Sequence, residues 1–260
     1  MTKKKPFILI SNDDGVDAKG LAELIAVAKE FGRVMVVSQN KGESGMSHAI
    51  TLTEPIYINK VKEEKDLVIY AINGTPVDCV KIAFNQLIDE KPDLLLSGIN
   101  HGSNASISLI YSGTLGAARE GALQGVPSVG FSLLNHSKDA DFSMVRHFLP
   151  SIISQVLENG IQAQSFLNIN FPDIAQKEVK GIKICRQTKG VWQEEYDKRI
   201  NPMGREYYWL TGAFDNFEPE AEDTDEWALK NNYIAIVPVQ IDTTSYQELK
   251  RIKNWKFDGK

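Results

Sequence analysis

The chain has 260 residues, of which 42% are hydrophobic and 24% charged, with a formal net charge of −5. That length suits one large α/β domain carrying an appendage, and the apolar fraction excludes general disorder. The negative balance argues against stable nucleic-acid binding through bulk charge. Two cysteines, Cys79 and Cys185, each in an apolar stretch, support neither a disulfide framework nor a zinc site and read as buried, reduced thiols.

Lys3, Lys4 and Lys5 precede an apolar run, but that run stops at Ile10, too short for the core of a signal peptide. No stretch approaches the length of a membrane span, so a cytoplasmic protein is expected. Residues 6–11 predict a strand buried on both faces, and 17–32 a helix with Leu21, Leu24, Ile25 and Ala28 at helical spacing. Strands are then expected at 33–37, 67–72, 93–97 and 128–131. They alternate with helices at 77–88, 115–124 and 142–157, and the 50–59 segment predicts an antiparallel piece. Such alternation implies right-handed crossovers and a mostly parallel sheet covered on both sides, a three-layer, Rossmann-like α/β domain. Residues 1–185 are expected to form it. Residues 190–230 hold Trp192, Trp209, Trp227, Tyr196, Tyr207 and Tyr208 together with an acidic run, and predict a protruding arm or hairpin. A lid over the core is the alternative. Exposed aromatics on such an arm favour subunit contact. The unit 186–260 closes with a strand at 234–239 and a helix at 245–255.

Ligands of open α/β sheets bind beyond the carboxyl ends of the strands, so the residues just past each strand are informative. Asn12-Asp13-Asp14-Gly15 stands after the first, and residues 38–45 after the second. Asn73-Gly74-Thr75-Pro76 and the run from Gly98 to Asn104 come after the next two, before Ser112-Gly113-Thr114 opens a helix. The adjacent carboxylates Asp13 and Asp14 are the sharpest feature. Alone they fit an Asx-turn and helix cap. Beside three more loops of amides and hydroxyls, they point to a hard cation such as Mg²⁺ or Mn²⁺. Ser112 to Thr114 sit where a helix start holds phosphate well. His48 and His101 fall in these loops, whereas His136 and His147 read as surface residues.

Together with Glu43-Ser44-Gly45, Gly74-Thr75-Pro76, Ser97-Gly98-Ile99-Asn100, Tyr111-Ser112-Gly113-Thr114 and the late Pro202-Met203-Gly204-Arg205 stretch, the opening Ile-Leu-Ile-Ser-Asn-Asp-Asp-Gly resembles the SurE family of survival nucleotidases. The resemblance spans nearly the whole chain. It implies metal-dependent hydrolysis of nucleoside 5′- and 3′-monophosphates, with some activity on short polyphosphate, and an arm used in homodimers or tetramers. It further implies one divalent metal per subunit on Asp13, Asp14, Ser44 and Asn100, with Asp13 and Asp14 catalytic. The implied phosphate pocket comprises Asn12, Gly45, Thr75, Asn104, Ser112, Gly113 and Thr114. Asn40 and Glu43 stand where the family usually has an acid and a base, and Ser106 where it has a glycine; these departures bear on substrate preference and loop geometry. The Asn40 and Glu43 departures are the only features favouring a non-catalytic nucleotide-binding protein. A dinucleotide-dependent oxidoreductase lacks its glycine-rich turn here, and a dehalogenase-type phosphatase wants alternating aspartates.

Overall fold

The computed structural model describes residues 4–193 and 196–257; Lys3 lies outside them. Its centre is a nine-stranded sheet. The first strand, β1 (Phe7–Ser11), is wholly buried and runs parallel to β2 (Arg33–Gln39) on one side and β5 (Leu94–His101) on the other. Because side chains alternate across a strand, Ile8 and Ile10 enter one core and Phe7 and Leu9 the other. The first core is closed by α1 (Lys19–Ala28) and α4 (Ser143–Asn159), through Leu21, Leu24, Val145 and Leu149. The second is closed by α2 (Pro76–Ile82) and α3 (Gly113–Leu123), through Cys79, Val80 and Ala117. The architecture is the expected three-layer α/β sandwich. Burying both faces explains why these strands read as unbroken apolar runs.

The remaining strands are β3 (Ile58–Glu64), β4 (Leu67–Ile72), β6 (Ser128–Leu133), β7 (Ser165–Phe171), β8 (Gly181–Ile184) and β13 (Tyr233–Gln240). Their order across the sheet is β3-β4-β2-β1-β5-β6-β7-β13-β8, antiparallel only at β3–β4 and β7–β13. The expected antiparallel piece starts at Ile58 rather than 50. It is an edge strand, exposed along its length and rich in lysine and glutamate, which guards the edge but leaves no apolar alternation to read. The predicted 77–88 helix is α2 followed by a π-turn over Ala83–Leu87. Strand β7 carries the buried Asn168 and Asn170; these break its apolar pattern, and periodicity does not find it.

Between β8 and β13 the chain leaves the sheet. β9 (Gly190–Gln193) pairs with β12 (Ala213–Asn216), and β10 (Tyr196–Ile200) with β11 (Glu206–Leu210), giving one long antiparallel hairpin. The helix α5 (Asp225–Lys230) then leads into β13, and α6 (Tyr246–Ile252) follows it. At the hairpin's base the fully buried Asp225 carboxylate accepts the Thr188 N–H (2.9 Å), the Thr188 hydroxyl (2.6 Å) and the Ser106 N–H (2.8 Å). This ties the arm to the loop that follows β5.

Candidate active site

The carboxyl ends of β1, β2 and β5 and the amino end of α3 meet at a cavity of about 640 Å³. Its floor is formed by Asp13, Ser44, Gly45, Asn100, Asn104 and Ser112. Asn12 does not face it. Its amide donates to the Gly15 carbonyl (2.9 Å) and accepts from the Ser38 hydroxyl (2.5 Å), which pins the turn carrying the two aspartates. The Glu43 N–H donates to the Asp13 carbonyl at 2.9 Å, so the loop after β2 reaches the site through its backbone. The Asn40 and Glu43 side chains are exposed. Their departure from the family pattern therefore leaves this contact intact.

Asp13 is buried and its Oδ1 accepts the Thr114 hydroxyl, while a Cβ on Gly113 would come within 3.0 Å of the Asp13 Cβ. A larger residue at the helix start would crowd Asp13 and shift it by a few tenths of an ångström. Ser112 caps α3, its Oγ accepting the Leu115 N–H at 3.1 Å, and itself lines the cavity, so the positive end of the helix stands at the cavity wall. Asp14 lies against β5, its Oδ2 accepting the His101 N–H at 3.2 Å. The Asn100 amide nitrogen donates to the Gly102 carbonyl (2.8 Å), turning its oxygen free to coordinate. Asn104 is held from beneath by β7: its N–H donates to Asn170 Oδ1 (2.9 Å) and its carbonyl accepts from Asn168 Nδ2 (2.8 Å). Thr75 stands apart from the cavity. Its hydroxyl donates to the Ala49 carbonyl (2.7 Å) and accepts the Asp78 N–H (3.1 Å), so it caps α2 and anchors the loop behind Ser44.

The electrostatics are one-sided. Burial, and then repulsion from Asp14, pushes the Asp13 carboxyl up to about 6. Burial also raises Asp14, offset in part by the His101 N–H and the charges of His101 and His136. Among the described residues no lysine or arginine lines the cavity. Buried carboxylates are tolerated when paired or bound to a metal. Two carboxylates, a hydroxyl and an amide oxygen make a hard-oxygen donor set, suited to a divalent cation of the Mg²⁺ class. Among the described residues no three His, Cys, Asp or Glu side chains cluster in metal-binding geometry, so two of the four donors would be the neutral oxygens of Ser44 and Asn100.

The family model described as "Survival protein SurE" matches residues 8–194. The chain belongs to the SurE family. A protein of Phocaeicola vulgatus named 5′-nucleotidase SurE is 50% identical over 99% of this chain and 100% of that one. A Flavobacterium psychrophilum protein of the same name is 49% identical over 98% and 99%. Among solved structures, the SurE protein from Aquifex aeolicus superposes with a TM-score of 0.82 at 37% identity, covering 95% of this chain and 98% of that one.

Within this SurE chain the sequence reading missed part of the cavity wall. His136 lines it, and its ring lies so close to Gly102 that a Cβ there would meet the imidazole at 2.3 Å. His136 lies just past the end of β6, so the strand-end rule, carried one strand further, finds it. Tyr111 was in view only as part of the helix-start motif. Trp192 and Tyr196 come from the arm, and no local signal marks their return to the site.

Proposed function

We propose that this chain is a 5′-nucleotidase, a divalent-cation-dependent phosphomonoesterase that splits nucleoside 5′-monophosphates into nucleoside and phosphate. The observation that carries it is the buried Asp13 carboxylate, bonded to Thr114 at the start of α3 and with the half-buried Asp14 next to it in the chain, at a cavity that, among the described residues, no lysine or arginine lines. A phosphate dianion entering that cavity is repelled unless a cation stands between. The full-length relatives named 5′-nucleotidase SurE support the same substrate class. The resemblance to the family implies 3′-monophosphates and short polyphosphate as further substrates.

Asp13, Asp14, Ser44 and Asn100 hold the cation, one per subunit, Mg²⁺ or Mn²⁺. When bound, it supplies positive charge for the phosphoryl oxygens and acidity for a water. The protein does the rest. The first N–H groups of α3, with Gly45 and Asn104, cradle the equatorial oxygens. Asp13, fixed by the Thr114 hydroxyl, holds its charge in place. Asp14 has Oδ2 engaged by His101, and its Oδ1 orients the attacking water and takes its proton. The water oxygen bonds to phosphorus as the bond to the ribose oxygen breaks, and the departing alkoxide takes up, through solvent water, the proton that Asp14 accepted. The buried free thiols of Cys79 and Cys185 suit a reducing compartment, and we place the enzyme in the cytoplasm. No helix among the described residues is long and apolar enough to cross a membrane. Residues 186–260, with the arm, serve self-association to a homodimer or tetramer.

Phosphate release from a panel of nucleoside monophosphates, with Mg²⁺ or Mn²⁺ and then with EDTA, tests this. Turnover is expected to vanish with the chelator. Asp14→Asn is expected to lower kcat by about 10²–10⁴-fold with an unchanged circular dichroism spectrum. Metal-independent turnover, or full activity in Asp14→Asn, would remove the assignment.

A further inference from the structure

The cavity has two ends of different chemistry. Its floor carries carboxylate, hydroxyl and amide oxygens from the strand ends. Its rim is Tyr111, Trp192, Tyr196 and Leu210, three of them supplied by the hairpin arm. A phosphate at the floor leaves the rest of a nucleotide to lie along this rim. We infer that Trp192, with Tyr196 beside it, is the platform on which the nucleobase stacks, and hence a specificity determinant contributed by the arm. This inference rests on the nucleotidase reading of the same site.

The platform is held in place. Pairing of β9 with β12 sets Trp192 opposite Phe214, and the two rings meet edge-on with centroids 5.9 Å apart. Phe214 in turn lies over Gly190, where a Cβ would come within 2.3 Å of the ring. At the base, Asp225 binds Thr188 and the Ser106 N–H, and the Ser106 hydroxyl donates to the Thr188 carbonyl at 2.9 Å. The arm is thereby fixed to the 106–110 turn, which leads into Tyr111 and the start of α3. The base of the arm that carries Trp192 and the phosphate floor are thus tied to the same turn, while Trp192 keeps 37% of its surface exposed, available for contact.

The rim's chemistry also states what kind of selectivity results. It offers aromatic faces and a leucine, with no charged side chain among the described rim residues. Every base has a π-face, so stacking is tolerant of base identity. The arm therefore selects nucleotides over phosphate esters that have no ring, and discriminates weakly among the four bases.

The test compares kcat/KM for AMP, GMP, CMP and UMP with that for glycerol 2-phosphate in the full chain, its Trp192→Ala, Trp192→Phe and Tyr196→Ala variants. Light scattering checks that the assembly state is unchanged. Trp192→Ala is expected to raise KM for all four nucleotides by about tenfold with kcat within about twofold, a size typical of one lost base stack. The preference for AMP over glycerol 2-phosphate falls in proportion, and Trp192→Phe restores most of it. Equal losses on both substrates, or unchanged KM values, would overturn the platform. Turnover of AMP by the unaltered chain tests the nucleotidase reading separately. Should that fail, AMP titrated into the Asp14→Asn protein still reads the platform, by quenching of indole fluorescence that Trp192→Phe abolishes. Quenching that persists in Trp192→Phe overturns it.

Discussion

Two residues outside the catalytic centre show how single side chains set this molecule's tolerances. Ser106 has a φ of +51°, where glycine is at ease and a serine costs about 1 kcal/mol. Its hydroxyl recovers about as much through the bond to the Thr188 carbonyl. Ser106→Gly is therefore expected to lie within about 1 kcal/mol of the parent, while Ser106→Ala, which keeps the strain and loses the bond, drops by about 1–2 kcal/mol. Urea midpoints read both, and equal stabilities would refute the offset. Glu226 is the second case. Burial, then the charge of Asp225, pushes its carboxyl up from 4.5 to about 7. A folded carboxyl that keeps its proton to higher pH than the unfolded one stabilises below about 4.5 and loses that stability as pH rises through about 7. Glu226→Gln is expected to be more stable than the parent at pH 8 by about 1–2 kcal/mol, discounted for partial exposure, and level with it below pH 4.5. A constant offset between pH 4.5 and 8 would show that the carboxyl does not titrate in that window.

At the scale of elements, the site depends on how closely a loop lies against a helix. The carbonyl of Ser47 approaches α3 so nearly that a Cβ on Gly116 would meet it at 2.1 Å. The same loop is held by Ser47 to the Ile110 and Tyr111 carbonyls, by His48 to Glu120, and by Thr51 to Asp78. Gly116→Ala pushes this loop, and with it Ser44 and Gly45, off the cavity floor. It is expected to cut kcat/KM by about tenfold or more while leaving the core folded, since an ångström of misplacement is that costly. A near-normal kcat/KM with an unshifted melting temperature would mean the loop gives way without harm. The β1, α1, β2, β5, α3 and β6 elements were legible because each buries two faces or one apolar stripe, and those leave a period in the sequence. The floor of the site was legible for a related reason, since parallel strands deliver the residues after each carboxyl end to one edge. The parts that stayed hidden were set by tertiary partners. Asn168 and Asn170 break the pattern of β7 in order to hold Asn104, and β3 has no buried face. Trp192 and Tyr196 reach the cavity only because a hairpin leaves the sheet and folds back beside it.

The whole molecule carries one surface that its own core does not cover. Every residue of β11 is exposed, with Tyr208 at 55%, Trp209 at 60% and Leu210 at 72%, and Met203 at the hairpin turn is 92% exposed. A lone two-stranded ribbon is marginal in water, and a run of aromatics in the open is how association surfaces look. The arm's base is fixed by Asp225, but its outer half, β10 and β11, pairs among the described residues only with itself. On the proposed self-association, a second copy would supply the missing cover. Light scattering at tens of micromolar is therefore expected to give a mass of at least two chains of 29.0 kDa. The double change Trp209→Ser with Leu210→Ser lowers that mass. If the arm's outer half is ordered by the partner, the same change also disturbs the rim that Leu210 and Tyr196 share with the active site, and nucleotide KM rises as the mass falls. A parent protein that runs as a monomer would mean that the arm stands by itself and that the base platform is complete within one chain.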